Sequence, residues 1–370
     1  MKKHNFSAGP CILPEDVLHK ASKAIINFND DDLSLIEISH RSTPFVKVMQ
    51  EAKDLVRELL DVPQGYSILF LQGGASLEFL MAPYNLLPLN GKCGYINTGT
   101  WSSKAITEAK SIGQTLVIAD SSDKNYNYIP KNIKIQQTLD YLHYTSNNTI
   151  YGTQFKEYPK TESILVCDMS SDIFSKRIDV SRFGLIYAGA QKNMGPAGTT
   201  LVIVKDSILG KTGRKIPTML DYNTHINKDS MFNTPPVFPI YVSMLTLRWL
   251  KEKGGVEYIE KINNQKAQKL YKEIDRNTLF KGIVNEKDRS NMNVTFTLNN
   301  KDLESVFDSL CNEKGINGLK GHRSVGGYRA SLYNALPIDS VDILVKTMQN
   351  LEKNYKWLTY LQTMEFPFQG

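Results

Sequence analysis

A lysine and an aspartate, each placed at or shortly after the end of an apolar run, are the residues in this chain best suited to chemistry. Asp168 follows the run 163–167 (SILVC), and Lys192 follows the run 185–188 (LIYA) within a stretch of small residues. Apolar runs of this length predict buried strands, and side chains at the carboxyl ends of strands in an open α/β sheet face its ligand site. One helix and one strand fit between the two positions, so we expect them at the ends of neighbouring strands.

Each of these residues also has an ordinary interpretation, because lysine usually lies on a solvated surface and aspartate often caps a helix. Together they match the requirements of pyridoxal 5′-phosphate. A desolvated lysine has the lowered pKa that Schiff-base chemistry needs. A carboxylate keeps the pyridine nitrogen of the cofactor protonated. We therefore predict that Lys192 and Asp168 bind this cofactor.

Two further segments could complete such a site. Residues 72–76 (QGGAS) follow an apolar run and open a predicted helix, whose first N–H groups and dipole would hold a phosphate. Trp101, in the segment NTGTW, could supply an aromatic face, although a single tryptophan more often belongs to a core. The sequence thus predicts a phosphate site in this turn and a ring contact at Trp101.

Several motifs occur in a characteristic order along the whole chain. They are NFSAGP at 5–10, SHRS at 39–42, GGAS at 73–76, NTGTW at 97–101, NTIYG at 148–152, DMSS at 168–171, GAQKNMG at 189–195, NTPP at 233–236 and GHRSVGGYRAS at 321–331. Each motif has modest specificity, whereas their joint order is highly specific. With them the chain resembles the phosphoserine aminotransferases, a family in the class V branch of fold-type I pyridoxal-phosphate enzymes.

The resemblance implies a role for each matching position. Lys192 would be the Schiff-base lysine and proton shuttle, Asp168 would pair with the pyridine nitrogen, and Trp101 would stack on the ring. Other cofactor contacts would come from Ala75, Ser76, Thr149 and Gln191 and, from the second subunit of a homodimer with shared sites, from Asn233 and Thr234. Ser76 stands where some members carry an arginine, so that positive charge is absent here.

The same resemblance implies the substrates. Glutamate and 3-phosphohydroxypyruvate would be converted reversibly to 2-oxoglutarate and O-phospho-L-serine by ping-pong transamination through Lys192, a step of serine biosynthesis. Arg329 would bind the α-carboxylate, for which its planar guanidinium is well suited. The distal phosphate or carboxylate would lie among two His-Arg pairs, His40–Arg41 and His322–Arg323. The longer phosphohydroxy keto acid of vitamin B6 biosynthesis stays open as a second substrate.

The elements that must position these residues alternate between strands and helices. Apolar runs predict strands at 67–71, 94–97, 116–119, 163–167, 185–188 and 200–204, with helical patterns such as 44–60 and 101–111 between them. This alternation indicates a mainly parallel sheet covered on both faces. With the resemblance, it predicts the α/β fold type I of aspartate aminotransferase, whose large domain has a mainly parallel, seven-stranded-type sheet flanked by helices.

The pattern changes after about residue 235. Amphipathic helices are predicted at 240–253 and 256–277, and a smaller α+β unit follows, with strands at 293–298 and 328–332 and helices at 301–314 and 340–361. We predict a large cofactor-binding domain over residues 16–255 and a small C-terminal domain over residues 256–370. The segment 1–15 is expected to pack near the small domain and the active site.

Composition excludes several other classes of protein. The 370 residues are 41% hydrophobic, with a mean hydropathy of −0.31, and no apolar run is long enough to span a membrane. A net charge of +6 is too mild to indicate a nucleic-acid partner. The four scattered cysteines form no metal-binding pattern, so no metal is expected, and without a signal-like apolar region they favour a reducing, cytoplasmic compartment.

Alternative functions differ from this prediction in the residues they need. A cysteine desulfurase needs a mobile nucleophilic cysteine. Cys93 and Cys167 lie in strand patterns and Cys311 in a helical one, which leaves Cys11 beside the Gly-Pro turn. A serine–glyoxylate transaminase would not need the His-Arg pairs. A nicotinamide dehydrogenase should carry GxGxxG, which QGGASLEF does not match. A non-catalytic binding protein on this fold would be expected to lose the lysine or the aspartate.

Overall fold

The computed structural model describes residues 3–363, with side chains described through Tyr355. Its strands are β1 (His4–Asn5), β2 (Tyr66–Leu71), β3 (Lys92–Asn97), β4 (Gln114–Asp120), β5 (Tyr141–Thr145), β6 (Ile164–Asp168), β7 (Leu185–Gly189), β8 (Thr200–Lys205), β9 (Phe280–Gly282), β10 (Asn293–Leu298), β11 (Ile316–Asn317) and β12 (Tyr328–Ser331). Its α-helices are α1 (Glu15–Ile26), α2 (Thr43–Leu59), α3 (Gly74–Leu86), α4 (Thr100–Ile112), α5 (Tyr222–Ile226), α6 (Val237–Glu252), α7 (Gly255–Arg276), α8 (Glu304–Glu313) and α9 (Ile338–Thr363).

A seven-stranded sheet with the order β2-β8-β7-β6-β5-β3-β4 forms the centre of the larger unit. Strand β8 runs antiparallel to both of its neighbours, while the other neighbouring pairs are parallel. The predicted fold class, a mainly parallel sheet flanked by helices with a smaller C-terminal unit, is therefore confirmed. The six predicted strands of this sheet lie within two residues of the observed ones. Strand β5 was not predicted.

Helices cover both faces of this sheet, and successive strand residues point to opposite sides. In β7, Leu185 and Tyr187 belong to a core shared with α3 and α4, whereas Ile186 and Ala188 belong to a core shared with α1, α2 and α6. All five residues of β7 are buried, because a strand covered on both faces exposes neither set of side chains. This explains why continuous apolar runs, rather than alternating ones, mark the strands in the sequence.

A second core forms between the three-stranded antiparallel sheet β12-β10-β9 and helices α7, α8 and α9. Phe6 and Ile12 belong to this core, and β1 pairs with β11 in parallel. Helix α7 contributes Val256 to the first core and Leu270 to the second. The domain boundary at 255–256 and the grouping of residues 1–15 stay predictions. Within residues 3–363, no helix is both long and apolar enough to cross a membrane.

Candidate active site

Five parallel strands of the large sheet end at one edge and deliver the predicted site residues there. The turn at 72–76 follows β2, Trp101 follows β3, Thr149 follows β5, Asp168 ends β6, and Lys192 follows β7. Carboxyl ends of parallel strands share one edge of an open sheet, which is where such folds bind ligands. The strand order thus explains how residues from distant parts of the sequence meet.

Lys192 lies in the connection between β7 and β8 and faces Trp101. Its Nζ is 5.1 Å from the centroid of the Trp101 ring. Burial lowers the pKa of Lys192, and the nearby Arg329 acts in the same direction, while Asp168 opposes both. A lysine with a lowered pKa is more often a neutral amine, the form that can act as a nucleophile or accept a proton.

Asp168 lies at the end of β6 and is only 4% exposed. Its Oδ1 accepts a hydrogen bond from the backbone N–H of Ser170 at 2.9 Å, and the Ser170 hydroxyl accepts one from Gly189 N at 3.1 Å. Burial raises the pKa of the Asp168 carboxyl, while Lys192 works in the opposite direction. A cationic ring nitrogen at this carboxyl would favour its ionised form. Asp168 therefore stabilises a short turn through Ser170 and does not cap an α-helix.

Thr149 connects the two units of the molecule at this edge. Its hydroxyl accepts a hydrogen bond from Trp101 Nε1, and its carbonyl oxygen accepts one from Arg329 Nη1, both at 2.9 Å. Arg329 comes from β12 in the small sheet, whereas Trp101 comes from α4 on the large one. These contacts fix the indole and the guanidinium next to each other.

The turn after β2 has the backbone shape of an anion site. Gly73 and Gly74 have φ values of +92° and +66°, and a Cβ at Gly73 would lie 2.5 Å from Leu77. Helix α3 then begins without a side-chain cap, so its first N–H groups, including those of Ala75 and Ser76, are oriented for a phosphate. The Ser76 side chain is exposed. This geometry fits the phosphate of pyridoxal 5′-phosphate.

Residues 233–234 lie beside the same turn. Gln72 Nε2 donates a hydrogen bond to the carbonyl oxygen of Thr234 at 2.6 Å, and Asn233 and Gln72 line one small pocket. Gln191 is half-buried, and its carbonyl oxygen accepts a hydrogen bond from Cys11 N at 3.0 Å. The cofactor roles of Gln191, Asn233 and Thr234 stay predictions, as does the subunit that residues 233–234 serve.

The two His-Arg pairs occupy different places in the chain. His322 Nδ1 lies 2.7 Å from the hydroxyl of Ser324, in a loop before β12. Burial lowers the pKa of His322, and the positive charges of Arg329, Arg323 and Lys104 act in the same direction. This pair therefore lies in the electrostatic neighbourhood of Arg329.

The other pair, His40–Arg41, precedes α2. Arg41 is exposed, and its backbone N–H is bonded to Ser39 Oγ. Nε2 of His40 is buried without a hydrogen-bond partner. Within residues 3–355, no hydrogen bond or ion pair joins this pair to Lys192 or Asp168, and its role in the site stays a prediction.

The cysteines give no support to a desulfurase. Burial raises the pKa of Cys11 and of Cys311 to about 12, and it also raises the pKa of Cys93 and Cys167. A nucleophilic cysteine needs the opposite shift. Among the residues that the structure describes, no group of three or more His, Cys, Asp and Glu side chains could hold a metal ion.

Comparison with known proteins decides the family. The family model described as Aminotransferase class-V matches residues 3–344. The chain belongs to this family. The class-V aminotransferase is 65% identical over 353 residues to a phosphoserine aminotransferase of Flavobacterium psychrophilum, covering 95% of this chain and 99% of that relative.

Solved structures agree with this assignment. A phosphoserine aminotransferase from Bacillus circulans subsp. alkalophilus has 44% identity and a TM-score of 0.92, covering 96% of this chain and 99% of that one. A structure that records radiation damage of the Schiff base in phosphoserine aminotransferase has 47% identity and a TM-score of 0.92, covering 96% of this chain and 100% of that one. The expected enzyme class, a pyridoxal-phosphate-dependent aminotransferase, is confirmed.

Sequence reasoning missed several residues around the lysine of this class-V aminotransferase. Ser170 holds Asp168, and Asn193 Oδ1 accepts a hydrogen bond from the backbone N–H of Asn334. A Cβ at Gly9 would lie 3.3 Å from Lys192 Cγ, so this glycine allows the N-terminal segment to approach the lysine. Polar residues and glycine give no periodic signal. Their positions inside the quoted motifs were the available indication.

Proposed function

We propose that this class-V aminotransferase catalyses the reversible transfer of an amino group between L-glutamate and 3-phosphohydroxypyruvate, giving 2-oxoglutarate and O-phospho-L-serine. The observation that carries the proposal is the junction at Thr149, which holds Arg329 beside Trp101 and Lys192. All four substrates share an α-carboxylate, and a fixed guanidinium next to the reactive lysine is what such a group needs. Near full-length similarity to phosphoserine aminotransferases supports the choice of substrates.

Pyridoxal 5′-phosphate fits the groups gathered at the sheet edge, and when bound it supplies an electron-accepting ring that weakens the Cα–H bond of the amino acid. Asp168 would hold the ring nitrogen, Trp101 would cover one face, and Lys192 would hold the aldehyde carbon. The phosphate would lie at the start of α3. The remaining contacts are assigned to Thr149, Gln191, Asn233 and Thr234.

Different side chains carry out the separate steps of transamination. Arg329 binds the α-carboxylate and so orients the Cα–H bond toward Lys192. The lowered pKa of Lys192 supplies the neutral amine that removes this proton, and the resulting ammonium returns it in the reverse direction. His322 and Arg323 lie near Arg329 and would bind the distal anion, either phosphate or γ-carboxylate.

The first test of the proposed substrates compares keto acids. We expect kcat/KM for 3-phosphohydroxypyruvate to exceed that for hydroxypyruvate by at least about 100-fold, since binding groups built for an anion are left unpaired by the analogue. The Arg323→Ala variant should narrow this ratio about tenfold. A glutamate-dependent assay that measures 2-oxoglutarate would give both values.

The matched control for Arg323→Ala is Arg182→Ala, which removes another exposed arginine. This variant should retain the wild-type ratio. Equal kcat/KM values for the two keto acids would contradict the assignment of a phosphate-binding site to the His-Arg pairs. Including the longer phosphohydroxy keto acid would test the predicted second substrate.

We also propose that two copies of this chain form a homodimer with shared sites. Large hydrophobic side chains are exposed within residues 18–46, the stretch of sequence that contains the His40–Arg41 pair, and exposed apolar surface often marks a protein–protein interface when it is contiguous. They are Leu18, Ile25, Ile26, Leu33, Ile36 and Val46. Their burial between two copies would form a dimer in which, as the resemblance to phosphoserine aminotransferases implies, Arg41 serves the partner's site.

A mixture of two inactive variants tests this arrangement. Lys192→Ala and Arg41→Ala homodimers should each have low activity. A hybrid dimer joins an intact Lys192 to the partner's intact Arg41 at one of its two sites. We therefore expect refolded or co-expressed hybrids to recover about half of the wild-type kcat per dimer, because one site of two is complete.

The comparison for this test is a mixture of Lys192→Ala with Arg323→Ala, a pair proposed to lie within one subunit's site. That mixture should not gain activity above its more active parent. If Arg41 acts within its own chain, the Lys192→Ala/Arg41→Ala hybrid also fails to recover, which would contradict the shared site.

We infer a cytoplasmic location for this enzyme. All four cysteines are free thiols, although the chain is long enough to carry disulfides. Free thiols are typical of proteins that work in a reducing compartment.

A further inference from the structure

Lys266 is a buried lysine that the proposed chemistry does not use. It lies on α7, is 0% exposed, and donates hydrogen bonds to three backbone carbonyl oxygens. The acceptors are Leu332 at 2.9 Å, Tyr333 at 2.8 Å and Leu336 at 3.2 Å. An ammonium has three donors and no acceptor, so these carbonyl oxygens use its full capacity. Burial lowers the pKa of Lys266 to about 7, whereas three carbonyl oxygens favour the ammonium.

The three carbonyls belong to one turn, residues 332–336, which directly follows β12. Strand β12 carries Arg329, so Lys266 fixes the chain close to the proposed carboxylate site. Asn263, one helical turn before Lys266, adds a contact by donating a hydrogen bond to Asn334 Oδ1 at 2.8 Å. Helix α7 therefore holds the turn 332–336 through two adjacent side chains.

The same turn contacts the surroundings of Lys192 on two sides. On one side, the backbone N–H of Asn334 donates to Oδ1 of Asn193, the residue after the lysine, at 2.9 Å. On the other, the Tyr333 hydroxyl donates to the carbonyl oxygen of Ala8 at 2.8 Å. The residue after Ala8 is Gly9, which lies against Lys192 Cγ.

We propose that Lys266 is a positioning residue which, through the turn 332–336, fixes the place of Lys192 relative to Arg329. In the structure, the buried Lys266 orders the turn 332–336. This turn contacts both chain segments that lie beside Lys192, at Ala8 and at Asn193. The inference rests on the proposed function only in taking Arg329 as the carboxylate site. Loss of the three hydrogen bonds would loosen the turn and let the lysine and the substrate move apart.

The test is Lys266→Met, which keeps an unbranched side chain of similar length and removes the charge and the donors. We expect kcat to fall about 10- to 100-fold, because small misplacements of reacting groups have effects of this size. KM for glutamate should change less than about threefold, because Arg329 remains in place. The pH midpoint of the visible absorption of the cofactor-loaded protein should also shift, by about half a pH unit or more.

The control is Lys261→Met, the same substitution at an exposed position of α7. It should leave kcat and the absorption midpoint at their wild-type values. A folded, cofactor-loaded Lys266→Met protein with wild-type kcat and midpoint would overturn the proposal. A Lys266→Met protein with a lower melting temperature but an unchanged absorption midpoint would have lost stability alone. That result would also overturn the proposal.

A second variant decides the matter if Lys266→Met does not fold. Asn193→Ala leaves the three hydrogen bonds of Lys266 intact and removes the acceptor for Asn334, together with the hydrogen bond that Asn193 Nδ2 donates to the Ile173 carbonyl oxygen. It should shift the absorption midpoint by about half a pH unit or more, and an unchanged midpoint would contradict the proposed coupling. The titration uses no amino-acid substrate, so its outcome is independent of whether phosphoserine is the product.

Discussion

Replacement of Lys192 by alanine is expected to lower kcat by at least about 10⁴-fold, because the variant loses both the covalent attachment and the group that moves the Cα proton. The lysine faces the Trp101 ring beside Asp168, and its lowered pKa suits both tasks. Borohydride reduction followed by peptide mass analysis should find the cofactor attached at Lys192 of the wild-type chain and nowhere on the variant.

Lys104 provides a matched control for this experiment. Its Nζ also lies 5.1 Å from the centroid of the Trp101 ring, but it is exposed on α4. The Lys104→Ala variant should still trap the cofactor, with kcat within about threefold of wild type, as is usual for surface substitutions. A Lys192→Ala chain that still traps the cofactor fully would contradict the assignment of Lys192 as the Schiff-base lysine.

The second large effect is expected for Arg329→Ala. Its kcat/KM should fall about 100- to 1,000-fold in both half-reactions, since all substrates carry an α-carboxylate and removing one partner of a buried charge pair typically costs about 2–5 kcal/mol. The hydrogen bond to the Thr149 carbonyl fixes the guanidinium in place. Single-turnover absorbance changes, first with glutamate and then with the phosphorylated keto acid, would measure the two half-reactions separately.

Arg329→Lys distinguishes the loss of charge from the loss of bidentate geometry. It retains a cation but not the planar fork, so an intermediate loss is expected in both half-reactions. A defect confined to one half-reaction, in either variant, would show that Arg329 binds a group peculiar to one substrate. Circular dichroism spectra of the variants would test whether they fold without the native contact between Arg329 and Thr149.

The part of the site that could be predicted from sequence lies at the ends of apolar strands. Asp168 and Lys192 follow strands that are buried on both faces and are therefore recognisable as continuous apolar runs. As expected, these two strands are neighbours in the sheet. Strand β5 was missed because His143 and two tyrosines interrupt its apolar pattern. In the fold, the ring of His143 is buried and its Nε2 lies 2.8 Å from Tyr187 OH, whereas its Nδ1 has no hydrogen-bond partner.

The direction of β8 was also not predicted, although the sequence contains a physical indication. Parallel neighbours need a crossover of a dozen or more residues, usually with a helix. Only residues 190–199 separate β7 from β8, and they form a turn that holds Lys192. The short connection requires β8 to reverse. An apolar run, by contrast, looks the same in either direction.

The role of Lys266 was beyond the composition rules, which place lysine at the surface. Its position within the buried stripe of α7, with Ile259, Asn263 and Leu270, was the signal available. The stripe could not show which groups accept hydrogen bonds from Lys266, because the three carbonyl oxygens belong to a turn more than sixty residues away in the sequence.

The hydrogen bond between Tyr333 and Ala8 joins residues 325 positions apart. A ribosome adds about 5–20 residues per second, so the segment around Ala8 is made tens of seconds before its partner. During that time β1 has no β11 to pair with, and the turn 332–336, which contacts the segments beside Lys192, has not yet been made. The reactive lysine is therefore among the last features of a newly made chain to reach its working position, well after the large sheet has been synthesised.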